Sequence, residues 1–377
     1  MPEPVHHLYL HVPFCAKVCP YCAFYVHGGS AGLQKRFAAA LAAELRHART
    51  AHRLRAVSSV YFGGGTPSML NADLFGQIAE AMAELDLAPG AEITLEANPA
   101  TVTEAKARAW RAAGVNRISL GAQSFDPAYL KLLGRQHRPE DIPETVAALR
   151  AHGFGNLNLD LMFALPGMPE ATWRRTVEAA LACGPDHVSA YALTYEEDTP
   201  FFERLRRGDW TLGEADEARE IAMFNWTRER LAAAGRPAYE ISNFARPGCE
   251  SLHNRAYWTG RDYLGLGPGA WSTVGARRWR NLPNTEAYIE AVGAGKFARL
   301  RTEGEAVEPA TRTRERVMFG LRTREGVTRE LIGRLGPEGG QALDEALRER
   351  LIEPEVDRFV LTSRGRLVAD SVAAMFV

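Results

Sequence analysis

Cys15-Ala-Lys-Val-Cys19-Pro-Tyr-Cys22 sets three thiols in one short stretch. They follow an alternating apolar run, Leu8-Tyr9-Leu10-His11-Val12, that reads as a strand. Three thiolates on a cubic four-iron cluster leave one iron without a protein ligand, much as a catalytic zinc keeps an open position. An open iron binds a small molecule and passes it an electron. The same spacing also suits a Cys₃His zinc site with His11 or His27 as fourth ligand, or simple unliganded thiols. Disulfides fit poorly, because the five cysteines are odd in number. Met1-Pro2-Glu3-Pro4 also has neither the basic flank nor the apolar core of an export signal. On spacing alone, both metal readings stand.

Composition narrows the setting. Lys and Arg number 45 against 46 Asp and Glu, which leaves no broad basic surface. A nucleic-acid partner is therefore not expected. No apolar run approaches the ~20 residues that span a bilayer, and a cytoplasmic location is expected. A chain of 377 residues can bury one large core and a smaller one.

The elements that must position the thiols alternate. Apolar, β-rich runs at 8–12, 58–62, 92–97, 117–122, 156–163 and 187–193 predict strands. Helical spacing, such as Leu33, Phe37, Leu41 and Leu45, lies between them. Thr101-Val-Thr-Glu104 reads as a capping box, Gly114 as the glycine ending that helix, and Asp126-Pro127 as a helix start. The pattern predicts an α/β fold, a parallel sheet curved into a partial (β/α)6 barrel, with a doubly wound sheet as the alternative.

The unusual residues fall at successive strand ends: the cysteine loop, Gly63-Gly64-Gly65-Thr66-Pro67, Glu96 with Asn98, and Gln123. In parallel α/β folds these carboxyl ends are the working face. Beyond residue 300, helices over Thr311–Leu321, Thr328–Leu335 and Ala342–Leu351 are expected. A strand at Phe359–Thr362 and a closing helix near Val368 follow. That is a smaller α+β, winged-helix-like domain. Its basic residues, Arg322, Arg324 and Arg348 among them, alternate with acids, which fits a solvated surface rather than DNA binding. The expected division is 1–235, a connecting segment 236–300, and 301–377.

Tyr9-Leu-His-Val-Pro-Phe-Cys15 with Cys19 and Cys22, Gly63–Pro67, Asp160-Leu-Met-Phe-Ala-Leu-Pro-Gly167 and His253-Asn-Arg-Ala-Tyr-Trp258 resemble the radical S-adenosylmethionine (SAM) enzymes. More narrowly, the chain is similar to the branch that holds oxygen-independent coproporphyrinogen III dehydrogenase and the haem chaperones related to it. The resemblance implies that Cys15, Cys19 and Cys22 ligate a [4Fe–4S] cluster whose open iron takes the amino and carboxylate groups of SAM. In such enzymes the reduced cluster passes one electron to the sulfonium, giving methionine and a 5′-deoxyadenosyl radical. Tyr9, Gly64, Gly65, Thr66, Glu96, Gln123, Arg135 and Asp160 match positions lining the SAM site. Bare glycine backbone allows close approach. Glu96 and Asp160 can accept hydrogen bonds from ribose or ammonium, and Arg135 offers a carboxylate fork. Arg135 rests on the resemblance only, away from any strand end.

Within that branch the dehydrogenase carries a fourth cysteine where this chain has Phe24. It also carries a long segment before the first strand. Both differences point toward the chaperones. His253-Asn-Arg-Ala-Tyr-Trp258 matches their HNxxYW signature, and His253, Tyr257 and Trp258 become the expected haem contacts, with Trp271 and Trp279 nearby in sequence. The resemblance implies a haem chaperone that passes haem to an apo-haemoprotein, at a membrane surface among other settings, as a monomer or homodimer. The alternative is radical decarboxylation of coproporphyrinogen III. Cys183 and Cys249 stand apart and read as structural or loop residues.

Overall fold

Residues 5–377 are described by the computed structural model, so the expectation about Met1–Pro4 lies outside the described residues. The main sheet has eight strands: β1 (His7–Val12), β2 (Val57–Gly64), β3 (Leu87–Ala97), β4 (Arg117–Gln123), β5 (Asn156–Phe163), β6 (His187–Ala192), β7 (Asn243–Ala245) and β8 (Leu264–Leu266). Their order is β7-β6-β5-β4-β3-β2-β1-β8. β1 to β6 pair in parallel, each with the next, and helices cross between them. The order never reverses within this set, which is the partial barrel and not the doubly wound alternative. β8 adds in parallel to β1, and β7 runs antiparallel to β6. Both edge strands thus come from the segment 236–300, expected only as a connector.

The period-two alternation of each strand divides the barrel wall in two. Leu8, Leu10, Val12, Val60, Phe62, Leu95, Ile118, Leu120, Leu159 and Leu161 are buried in one continuous apolar core with the helices. The opposite face is polar. The registers align His7 with Ser59 and Tyr9 with Tyr61, then Ser59 with Glu92. They continue Glu96 with Ser119, Ser119 with Asn158, and Asn158 with His187. These groups satisfy one another. Asn158 Nδ2 donates to Ser119 Oγ at 2.7 Å and to Ser189 Oγ at 3.0 Å, and His187 contacts Asn158 Oδ1 at 2.7 Å and the Tyr239 hydroxyl at 2.9 Å. Such mutual pairing is what allows a polar barrel interior to stay folded.

The helix Ala31–Ala51 carries the expected 33–45 pattern and starts at Ser30, whose hydroxyl accepts from Leu33 N. Asp126 caps the helix Pro127–Leu132, and Gly114, at φ +86°, follows the helix Glu104–Ala112. The cap of that last helix is Thr103 and not Thr101. Thr101 is spent in the preceding tight turn, where its hydroxyl donates to Asn98 O.

A three-stranded antiparallel sheet, β9 (Trp271–Val274), β10 (Arg277–Asn281) and β11 (Arg301–Ala306), leads to the last part of the chain. There β12 (Val327–Thr328), β13 (Ile352–Glu355) and β14 (Arg358–Leu361) form a sheet in the order β12-β14-β13. Helices Pro309–Leu321, Gly336–Arg348 and Ala369–Ala374 share a second core with it through Val317, Leu321, Leu343, Phe359 and Val372. This is the expected α+β arrangement.

Candidate functional site

The loop after β1 closes on itself by backbone bonds: Cys15 N donates to His27 O at 3.0 Å, His27 N to Pro13 O at 2.8 Å, and Cys22 N to Cys19 O at 3.1 Å. Its tail is clasped from outside. Tyr25 Oη accepts from Thr285 N at 2.9 Å, and His27 Nε2 lies 2.7 Å from Thr285 Oγ1. The three thiols are half-buried. Burial is the main force pushing the Cys15 and Cys22 thiols up from their ordinary range, with the neighbouring cysteines adding to it. Thiolates there need positive compensation, which metal ligation supplies.

One cation already faces them. Arg135 Nη1 donates to Cys19 Sγ at 3.7 Å and Nη2 to Gly121 O at 2.8 Å, while Nε is buried with no partner. Arg135 is therefore not remote from the strand ends, as its place between two helices suggested. Its long side chain carries the charge back to the mouth.

The donor set suits a cluster better than one ion. A cubane needs thiolates alone, one on each of three irons. The histidines weighed as zinc ligands are engaged elsewhere. His11 contacts the Tyr9 hydroxyl at 3.1 Å and Tyr25 O at 2.8 Å, and His27 contacts Gly28 O and Thr285.

The glycine turn after β2 is pressed against the root of this loop. Gly65 N donates to Val12 O and Thr66 N to Phe14 O, each at 2.8 Å. A Cβ on Gly65 would sit 2.8 Å from Phe14 O, and one on Gly64, at φ +107°, would sit 2.5 Å from the His11 ring. These glycines are thus required by packing of turn on loop, whatever approaches them from the mouth. Thr66 Oγ1 lies 3.5 Å from Cys15 Sγ.

Glu96, at the end of β3, accepts from the Tyr61 hydroxyl at 2.7 Å. Burial drives its pKa up to about 7, opposed by the bonds from Tyr61 and Gly64 N and aided by Asp160. Asp160 is held by Ser119 Oγ at 2.9 Å and Asn158 Nδ2 at 2.8 Å, both side-chain partners. Gln123 ends β4 at φ +63°, a left-handed conformation unusual for its type. Tyr9 is farther back on β1, its ring centroid 6.2 Å from that of Tyr61 and 6.4 Å from that of His253. The thiols, Thr66, Glu96, Gln123 and Arg135 thus come to the carboxyl ends of β1 to β4.

The His253 motif is placed differently. It forms the helix Leu252–Trp258, capped by Ser251. His253 is 1% exposed. Its Nδ1 lies 2.9 Å from Ser59 Oγ and its Nε2 3.1 Å from the Tyr257 hydroxyl, and its ring stacks on Tyr61 at 5.0 Å. Burial holds its pKa down to about 3, with His7 and Arg117 adding to the effect. Both ring nitrogens, expected as part of a haem contact, are thus engaged by protein partners in this arrangement. Tyr257 packs edge-on against Tyr263 at 4.5 Å. Trp258 turns away from both, toward Phe319 and Arg322 of the C-terminal core. Trp279 packs with Arg301 and His52 on another cavity, and Trp271 is exposed beside Arg280.

Glu92, passed over in the sequence, anchors this motif. Its carboxylate accepts from Ser251 Oγ, Leu252 N and His253 N at 3.2, 3.0 and 3.1 Å. It lies 4.0 Å from the buried guanidinium of Arg117. An acid on the same strand parity as Glu96, in Ala91-Glu-Ile-Thr-Leu-Glu96, was the available signal.

Comparison with known proteins agrees with this geometry. The radical SAM superfamily profile matches residues 9–180. The chain is 38% identical to the heme chaperone HemW of Mycobacterium tuberculosis across 99% of this chain and 95% of that one. It is 32% identical to the heme chaperone HemW of Lactococcus lactis, across 98% and 96%. Among solved structures, coproporphyrinogen III oxidase (HemN) from Escherichia coli superposes with a TM-score of 0.83, covering 100% of this chain and 91% of that one at 23% identity, which shows a shared fold. A barrel mouth carrying three thiols, together with likeness along the full length, leads to one assignment: the chain belongs to the radical SAM superfamily, in the branch of HemN and HemW.

Proposed function

We propose that this chain is a haem chaperone that binds haem and a SAM-ligated [4Fe–4S] cluster and delivers haem to apo-haemoproteins. The carrying observation is likeness over almost the whole chain to relatives named heme chaperone HemW. Membership of the superfamily implies SAM and a [4Fe–4S] cluster. When bound, the cluster supplies a one-electron donor with one iron open to a small ligand.

In this reading Cys15, Cys19 and Cys22 hold the cluster. Arg135 tempers the charge at Cys19 and offers its unpaired Nε edge to the SAM carboxylate. Asp160 and Glu96 receive the ribose or ammonium donors, while Gly64, Gly65, Thr66, Gln123 and Tyr9 shape the wall. With a pKa of about 7, Glu96 can hold or release a proton near neutral pH. Ligation of haem iron by His253 requires the ring to leave Ser59 and Tyr257, so haem binding through it would be coupled to opening of that packing.

Phe24 supports the chaperone over the dehydrogenase. It occupies the place where the resemblance puts the dehydrogenase's fourth cysteine, and it is 70% exposed. No helix among the described residues is long and apolar enough to cross a membrane. We place the protein in the cytoplasm as a monomer or homodimer, handing haem over at a membrane surface where the acceptor lies there.

Anaerobic reconstitution tests the proposal. Iron and sulfide should bind, haem should give a saturable Soret change, and coproporphyrinogen III with SAM and a reductant should yield no protoporphyrinogen. Protoporphyrinogen formation without haem affinity would instead establish the dehydrogenase.

A further inference from the structure

A cleft lies between the helix Leu252–Trp258 and the C-terminal core. On a helix turning 100° per residue, Arg255 and Trp258 point to the half opposite His253. Both line this cleft, with Arg316, Glu325, Leu331 and Arg358 from the C-terminal part, around a cavity of about 280 Å³. Three guanidinium groups thus face one carboxylate. Glu325 lies 3.5 Å from Arg255 and 3.3 Å from Arg324. Arg358 is 3.8 Å from the carboxylate of Asp357. Among the described residues, Arg316 has neither an ion pair nor a hydrogen bond. Trp258 is fixed as one wall by Phe319, edge-on at 6.1 Å, and by Arg322, 5.2 Å over its ring.

An unpaired planar cation beside a fixed indole selects a particular chemistry. Guanidinium forks match carboxylates bidentately, and an indole packs against flat apolar rings. The cavity is somewhat smaller than the roughly 300–1,000 Å³ that engulfs a whole ligand. It suits one edge of a larger molecule.

We propose that this cleft binds the carboxylate edge of a planar aromatic acid: given the haem reading, on which this inference rests, the propionate edge of the porphyrin. Arg316 and Arg358 hold the carboxylates, and Trp258 lies along the ring. Haem is then recognised through its periphery by the face of the motif helix opposite His253. No iron ligand from His253 is needed for this contact.

The test uses the full-length protein with metal-free protoporphyrin IX and its dimethyl ester, which removes iron ligation from the measurement. The wild type should bind the diacid more tightly than the ester by about tenfold or more, as expected for charge-assisted bonds. Arg316→Glu with Arg358→Glu should bring that ratio close to one, with circular dichroism and Tm unchanged because both side chains are solvent-facing. Arg316→Gln alone, a milder change, should lower the ratio in part. Equal affinity for acid and ester in the wild type overturns the cleft, and so does an undiminished ratio in the folded variants. If iron haem still binds in either case, only the cleft falls. If neither haem nor porphyrin binds the wild type, the haem reading itself falls.

Discussion

The cysteine loop and the helix Leu252–Trp258 both carry short motifs, yet they have opposite physical characters. The loop's thiols are half-buried, with burial pushing Cys15 and Cys22 away from ionisation, and their neighbours include Thr66, Arg135 and the Tyr21 hydroxyl. The helix is saturated: both nitrogens of His253 are engaged, and Glu92 accepts three bonds from its first turn. One region is organised but chemically incomplete, while the other is complete without a ligand. A motif's conspicuous histidine can therefore be a fastening, while its less conspicuous face meets a cavity.

The sharpest way to break this contrast is to remove a thiol. Cys19→Ser should abolish stable cluster retention, read as iron and sulfide content and loss of the brown absorbance, with little change in Tm of the metal-free protein. Undiminished iron would show that the loop is not the cluster site.

Removing the anchor should act the other way, on stability. Glu92→Ala leaves Arg117 as an uncompensated buried cation and frees the first turn of the motif helix. It should cost about 3–5 kcal/mol in denaturant unfolding. A loss below about 1 kcal/mol would mean that the helix is held by something else.

Gly65→Ala should link the two regions. Its methyl meets the Phe14 and Val12 carbonyls, so a shift of the loop root is forced. The expected cost is about 1–3 kcal/mol, accompanied by weaker cluster retention. Full retention would show that turn and loop relax independently.

The most gradual effect is a pH slope. His253 takes up a proton near 6.5 when unfolded but stays neutral in the fold down to about 3, chiefly through burial. Between those values the unfolded chain binds more protons, so stability falls as pH drops through the window. The slope from this group is at most ~1.4 kcal/mol per pH unit. His253→Gln should flatten the unfolding profile between pH 6.5 and 4, and an unchanged slope would show that the ring does not stay neutral.

Much of this architecture could be read beforehand because strands and crossover helices carry strong periodicity. The six barrel strands all appear where alternation placed them. Their polar inner row is harder to see, since Ser59, Glu92, Arg117 and Asn158 lie one at a time within apolar runs and form no motif along the chain. Those residues become interpretable only when register sets them side by side. Arg135 was misjudged from its position between helices because a guanidinium reaches several ångströms from its backbone. The partner of His253 was not legible, because chain proximity to Tyr257 and Trp258 cannot reveal Ser59, 194 residues earlier.

The clasp on the cysteine loop has a consequence for biosynthesis. Thr285, which grips Tyr25 and His27, is made 258 residues after His27. At roughly 5–20 residues per second, the nascent loop waits on the order of 10–50 s before its fastening exists. β1 likewise lacks its second neighbour until β8 emerges. A settled cradle for metal and sulfide therefore cannot exist until synthesis has passed both β8 and Thr285.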